Sequence, residues 1–218
     1  STQSINTGFQ PDFVWIKNRT DASTNNSLFD SVRGAGISTS NSRRLSSDNT
    51  LAEWTSGDQY GYLSSFDPYG FSISKGTASP DNTNGSTKNY VAWAWKAGGN
   101  SNTYNINGTG YSTASAAGLT AGTITPTGAS VNTKSGFSII TYTGNLTTTG
   151  SATVAHGLNK APSLIITKSR NNSGADTGDW AIQHSALTSG SYILRFDTTD
   201  QSDKSGNGTL SSPTSSVF

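Results

Sequence analysis

Hydrolysis of a glycan requires two carboxylates placed on either side of the scissile bond, and this chain is poor in them. Thirteen residues are acidic, Glu53 is the single glutamate, and the remaining twelve are aspartates that mostly sit in polar turns, where Asp hydrogen-bonds its own backbone. His156 lies in Ala-His-Gly-Leu and His184 ends an alternating segment. With no nucleophile motif or third ligand beside them, both read as structural hydrogen-bonding residues rather than catalysts. Asp197, Asp200 and Asp203 recur at every third position. That spacing offers a Ca²⁺ site built from loop oxygens, although it is not an EF-hand loop and a solvated turn is the competing reading. Asp30 and Arg33 stand three apart in an otherwise apolar segment, which suits a structural ion pair. Arg43-Arg44 is the only adjacent basic pair and reads as two solvated side chains.

Sugar recognition uses different chemistry, because a pyranose presents apolar C–H faces ringed by hydroxyls. Aromatic faces with nearby amides and carboxylates suit it. Trp54-Thr-Ser-Gly-Asp-Gln-Tyr-Gly-Tyr62 collects such groups in a loop-like context, so Trp54, Asp58, Gln59, Tyr60 and Tyr62 form the candidate glycan-facing tip. The competing reading is that Trp54 or Tyr62 plugs the end of a sandwich, since large aromatics are usually largely buried.

The elements that would hold these groups come in two copies. Pro11-Asp-Phe-Val-Trp-Ile-Lys-Asn-Arg19 returns without a gap as Pro162-Ser-Leu-Ile-Ile-Thr-Lys-Ser-Arg170, each after a Gly-apolar pair, Gly8-Phe9 and Gly157-Leu158. Copies this far apart indicate tandem domains rather than a solenoid. Short apolar runs bounded by proline and polar residues predict strands at 13–16, 164–166, 136–143, 180–184 and 191–196. Asn89 to Lys96 alternates, with Val91, Trp93 and Trp95 on one face and Tyr90, Ala92 and Ala94 on the other. Turn signals occur at Tyr69-Gly70, Asn84-Gly85, Asn107-Gly108 and Asn207-Gly208. No segment shows helical periodicity, so the predicted fold is all-β: two tandem antiparallel β-sandwich modules, jelly-roll or lectin-like, joined by a Gly/Ser/Thr-rich spacer.

The predicted domains are residues 1–98, a spacer over 99–135, and 136–218 truncated at its last strand. The spacer carries Tyr104, Ile106, Tyr111, Leu119, Ile124 and Val131 as spaced apolar anchors, which predicts that it lies along a sandwich surface. Each copy is an outer strand short, and an open edge invites pairing with a neighbour.

Charged residues are 12% of the chain and the net charge is +1, which excludes an electrostatic footprint for nucleic acid. Hydrophobic residues are 31%, with 24 glycines, a mixture that disfavours long helices. Without cysteine neither a disulfide framework nor a thiol nucleophile is available. The absence of methionine implies a piece of a longer or processed product. No 18-residue apolar run or basic-then-apolar leader is present, so neither membrane insertion nor a signal peptide is expected.

Gly8 to Arg19, Leu28-Phe-Asp-Ser-Val-Arg-Gly34, Ser65 to Ile73 and Tyr90 to Gly98 together resemble a repeat module of tail-fibre-like virion structural proteins of marine bacteriophages. Ile140 to Gly144, Ala155 to Leu158, Ala161-Pro162 and Ser212 to Phe218 resemble it again, and the likeness spans nearly the whole chain. The second copy lacks the Leu-Phe-Asp-Ser-Val-Arg-Gly segment. The resemblance implies a non-enzymatic structural or adhesive part of a virion, exposed on its surface and thus extracellular, without a cofactor unless Ca²⁺ binds. Its implied partners are other virion proteins or copies of itself, with a trimer favoured, and host-surface glycans. The alternative is a decoration or filament subunit assembled by strand pairing, and the third reading is a polysaccharide depolymerase.

Overall fold

The computed structural model describes residues 2–38, 41–55, 59–145, 150–171, 178–187, 192–196, 203–204 and 212–218. The protein is all-β, with no helix among the described residues. Two compact units divide the chain: Ser1–Trp95, Thr167–Ala181 and Arg195–Thr199 form the first, and Lys96–Ile166, Ile182–Leu194 and Asp200–Phe218 the second.

The first unit holds two three-stranded antiparallel sheets. In one, β1 (Thr2–Asn6) and β4 (Tyr62–Asp67) flank β5 (Gly70–Ser74). The turn expected at Tyr69-Gly70 joins β4 to β5, and a bulge interrupts their register between Leu63 and Ser65. A Cβ at Gly70 would collide with the Ile5 carbonyl of β1, so only glycine permits this close pairing. In the other sheet, β3 (Ser27–Asp30) and β6 (Tyr90–Trp95) flank β2 (Phe13–Asn18).

Alternation on β2 decides what lies between the sheets. Val14 and Ile16 point inward and join Phe29, Leu63, Phe71 and Ile73, all buried, with Ile5, Ala35, Tyr62, Phe66 and Tyr90 packed around them. Side chains of both sheets meet in that cluster, which is the sandwich arrangement. Each fully buried side chain of this kind contributes about 1.5–3 kcal/mol relative to exposure. Phe13 and Trp15 point the other way, to the outer face.

In the second unit, β7 (Tyr104–Ile106), β8 (Thr109–Tyr111), β9 (Gly128–Asn132) and β10 (Phe137–Thr141) form a sheet in the order β10-β9-β7-β8. The predicted Asn107-Gly108 turn links β7 to β8, with φ of 53° and 90° at the two residues, the signature of a type I′ hairpin. Pairing is antiparallel throughout except between β7 and β9, which run parallel.

Residues 99–135 are therefore folded structure rather than a spacer. Three strands lie in this stretch, and Tyr104, Leu119 and Val131 are core residues packed with Ala114, Ala129 and Ala155. Small residues dominate because β9 is buried on both faces, so its Gly, Ala and Ser mark close packing. The low-complexity composition that suggested a linker has this cause, and the units consequently do not follow the 1–98, 99–135 and 136–218 boundaries.

β11 (Leu164–Lys168) and β12 (Trp180–His184) form a two-stranded sheet, and β13 (Tyr192–Ile193) pairs with β14 (Asp203–Lys204). The sequence repeat reappears in local pairing. Thr7 donates its N–H to the Tyr69 carbonyl at 2.9 Å, and His156, at the matching place before the repeated glycine, donates to Ser216 at 3.2 Å. Gly8 and Gly157 both adopt positive φ, 79° and 71°. Lys17 caps the carbonyl of Thr24 in the loop after β2, and Lys168 caps Gly178 in the loop after β11.

Candidate functional site

The first unit exposes an aromatic surface on the outer face of the β3-β2-β6 sheet. Antiparallel register sets Phe13 opposite Trp95 and Trp15 opposite Trp93. The rings follow, with centroids 5.4 Å apart for Phe13 and Trp95 and 6.1 Å for Trp15 and Trp93. Phe196 adds to the row 5.6 Å from Trp15 and 5.9 Å from Trp180. On the β3 side this face is covered, because Leu28, Leu45 and Trp180 are buried together against Phe13 and Trp15. The β6 side stays open, leaving Trp93 47%, Trp95 39% and Phe196 37% exposed.

Alternation along β6 sets Val91, Trp93 and Trp95 on one face, and nothing in the local sequence marks the two tryptophans as binding residues. The missed signal is the inward partner set. Val14 and Ile16 already fill the core on β2, so the neighbouring aromatics in register with them must face outward.

Beside the covered half lies a buried ion network. Asp30 ends β3 and Arg33 follows in the turn. Arg33 Nε reaches Asp30 Oδ2 at 2.5 Å and Nη1 reaches Glu53 Oε1 at 3.2 Å. Glu53 Oε2 in turn accepts from Arg170 at 2.5 Å. Arg33 also donates to the carbonyls of Arg43 at 2.6 Å and Leu28 at 3.2 Å. The expected Asp30–Arg33 pair is thus present, and both carboxylates are engaged with guanidinium groups while buried, Asp30 at 6% and Glu53 at 8% exposure. Such an arrangement holds a loop in register.

Arg43-Arg44 is not a solvated pair. Arg44 is 1% exposed, its guanidinium 4.1 Å from the Trp54 ring centroid and bonded to Ser46 Oγ at 2.6 Å, while Arg43 donates to the Arg33 carbonyl. A backbone bridge between Arg44 and Trp54 stacks the cation on the ring, where desolvation strengthens the attraction.

Trp54 is therefore half-buried over Arg44. Tyr62 is half-buried in β4 against the sandwich core. Tyr60 is 40% exposed and Gln59 is exposed, its carbonyl accepting from Thr77 at 2.9 Å and Ala78 at 3.0 Å. Trp54 and Tyr62 are thus engaged in separate packing, and Asp58 lies outside the described residues. Asp197 and Asp200 also lie outside them, as does the side chain of Asp203, whose backbone pairs with Ile193. No group of three or more His, Asp or Glu side chains able to hold a metal ion occurs among the described residues.

A groove of about 470 Å³ opens between the sheets of the first unit, at the side where β1 and β6 are the edge strands. Ile5, Ile16, Phe71 and Ile73 form its floor and the Thr83–Lys88 loop its rim. The space exists because the inward positions of β6 opposite Ile16 and Val14 are only Ala92 and Ala94. Tyr90 ties the rim down, its hydroxyl donating to the Asp81 carbonyl at 2.9 Å and accepting from Gly85 N–H at 2.7 Å. Burial raises its pKa above 10.0. Asp81 is itself buried, accepting from the N–H groups of Gly76 at 2.5 Å and of Thr83 and Asn84 at 2.8 Å each.

In the second unit His156 is 2% exposed. Its Nδ1 accepts from Leu158 N–H at 3.1 Å, so the proton sits on Nε2, which donates to the Thr214 carbonyl at 3.2 Å. Burial holds this imidazole below its ordinary pKa of 6.5, against the weaker opposing pull of the Thr214 carbonyl. Because the folded-state value is depressed, the unfolded chain binds the proton more tightly, so this contribution to stability is complete above 6.5 and falls on acidification below it. We expect the urea midpoint to drop as pH is lowered from about 8 to about 5, and His156→Gln to show a flatter dependence. An unchanged slope in that variant would remove His156 from the account. His184, by contrast, is exposed and accepts locally from Ala186 N–H at 3.0 Å.

No curated protein and no solved structure matches the chain. The model of the DUF7483 family, a domain of unknown function, matches residues 1–218, the whole of this sequence, and the chain belongs to that family.

Proposed function

We propose that this chain is a non-enzymatic structural and adhesion module of a bacteriophage virion, placed in a tail fibre or similar surface projection, where it contacts host-surface glycans. The observation that carries the reading is the β6 side of the β3-β2-β6 face, where Trp93 and Trp95 are 47% and 39% exposed on one strand. Sites built on strands hold their geometry better than sites on loops. The motifs that resemble those of tail-fibre-like virion proteins support the virion setting. The ion network adds support against a hydrolase, since Asp30 and Glu53 are neutralised by Arg33 and Arg170 inside the protein.

On this reading the chain works as a homo-oligomer, a trimer being the symmetric state most in keeping with a fibre. Gold-labelled antibody raised against the chain should decorate fibres on intact particles, and particles left unlabelled would remove the virion assignment. A second reading, a decoration or filament subunit, is favoured by β1 and β6 being edge strands that flank one groove. Strand addition between copies would then produce filaments of purified protein visible by electron microscopy.

A further inference from the structure

We propose that the outer face of the β3-β2-β6 sheet, centred on Trp93 and Trp95, is a stacking platform for a neutral oligosaccharide. The inference rests on the adhesion reading and places its contact here instead of at the Trp54–Tyr62 loop.

Size selects the occupant. An aromatic side chain offers roughly 150–250 Å². At 47%, 39% and 37% exposure, Trp93, Trp95 and Phe196 leave a patch on the order of 300 Å². A specific contact between proteins removes about 800 Å² from each partner, so the patch is too small to be the core of a stable dimer. It matches a few sugar rings. Residues two apart on a strand lie about 6.8 Å from each other, which sets Trp93 and Trp95 side by side along the strand, each able to take one ring of a chain.

Charge selects its class. The outward positions of β2 and β6 are Phe13, Trp15, Lys17, Val91, Trp93 and Trp95, and the one cation among them is committed to the Thr24 carbonyl. A face of this kind attracts neither anionic nor cationic ligands strongly. It favours a ligand with apolar C–H faces and neutral hydroxyls. The platform is also braced from behind: Trp15 Nε1 donates to Asn26 Oδ1 at 3.0 Å, and Phe13 and Trp15 pack tilted against Trp95 and edge-on against Trp93. The ring planes are therefore set before a ligand arrives, which lowers the ordering cost of binding.

The test is titration calorimetry of the intact chain with neutral oligosaccharides of the gluco, galacto and manno series. At least one series should bind. Trp93→Ala and Trp95→Ala should each weaken that binding about tenfold or more, Trp93→Phe should restore most of it, and Trp54→Ala should leave it unchanged. Unaltered urea midpoints would establish that the variants are folded. Absence of binding by the folded wild-type chain to all three series overturns the platform, as does binding that survives both tryptophan changes. Self-association abolished by Trp93→Ala, with no sugar bound, would assign the face to a second copy and also overturn it. Reducing ends released in the same mixtures would instead overturn the non-enzymatic reading, while tryptophan-dependent binding would still support the platform.

Discussion

Replacing Arg33 by leucine is expected to lower the stability of the folded chain by about 3–5 kcal/mol, the range for a buried ion pair that loses one partner. The guanidinium satisfies Asp30, Glu53 and two main-chain carbonyls at once. Leucine fills some of the volume but leaves the Asp30 carboxylate buried without its cation and takes the guanidinium donor from the Arg43 carbonyl, while the Leu28 carbonyl keeps the Leu45 N–H at 3.1 Å. Arg33→Lys should fall in between, because a single ammonium cannot reproduce a planar fork of donors. Arg170→Ala should cost less than either, since its side chain is already 45% exposed and Glu53 keeps Arg33. Urea denaturation followed by tryptophan fluorescence gives the ranking, and an Arg33→Leu midpoint equal to wild type would show that the network contributes nothing net. Replacing Asp30, Arg33 and Glu53 together by apolar residues should be milder than Arg33→Leu alone, because no uncompensated charge then stays buried.

This network shows how far sequence reasoning reaches. Asp30 and Arg33 stand out because their spacing of three puts them across one turn, and the pair forms as expected. Glu53 and Arg170 lie 20 and 137 positions from Arg33 and share no pattern with it, so only the tertiary fold brings them in. Arg44 misled for a related reason. A basic pair is normally solvated, and nothing local announces that Trp54 will lie over its guanidinium and Ser46 will accept from it.

The strands were legible wherever alternation or an apolar run was strong, as at β2, β6 and β12. They were illegible where the core is made of small residues. β7 and β9 carry Asn, Gly, Ala and Ser, types that composition assigns to linkers, yet Ala129 and Val131 are fully buried. Period-two alternation also told which residues share a face of β6 without telling which face is inside. The inward face is set by the partner strand: the aliphatic side chains of β2 occupy the interior, so the tryptophans of β6 lie on the outer face.

The inward side of the same sheet yields a second large effect, in which two phenylalanines of one core separate. Phe29→Ala is expected to cost about 3–5 kcal/mol, the range for truncating a buried aromatic. Phe71→Ala, at equal burial, should cost distinctly less. Phe29 is 0% exposed, lies opposite Val14 in the register of β3 with β2, and would leave a closed void that its neighbours can only partly fill. Phe71 is 1% exposed but lines the 470 Å³ groove, so the space it vacates merges with volume already open to water. The penalty for an empty cavity grows with the volume left unfilled, and at Phe71 that penalty largely disappears, leaving the loss of transfer free energy. Urea midpoints of the two variants, taken with equal denaturant slopes, test the ordering. If Phe71→Ala proves as costly as Phe29→Ala, the groove is shut in solution and the alanines of β6 do not hold it open.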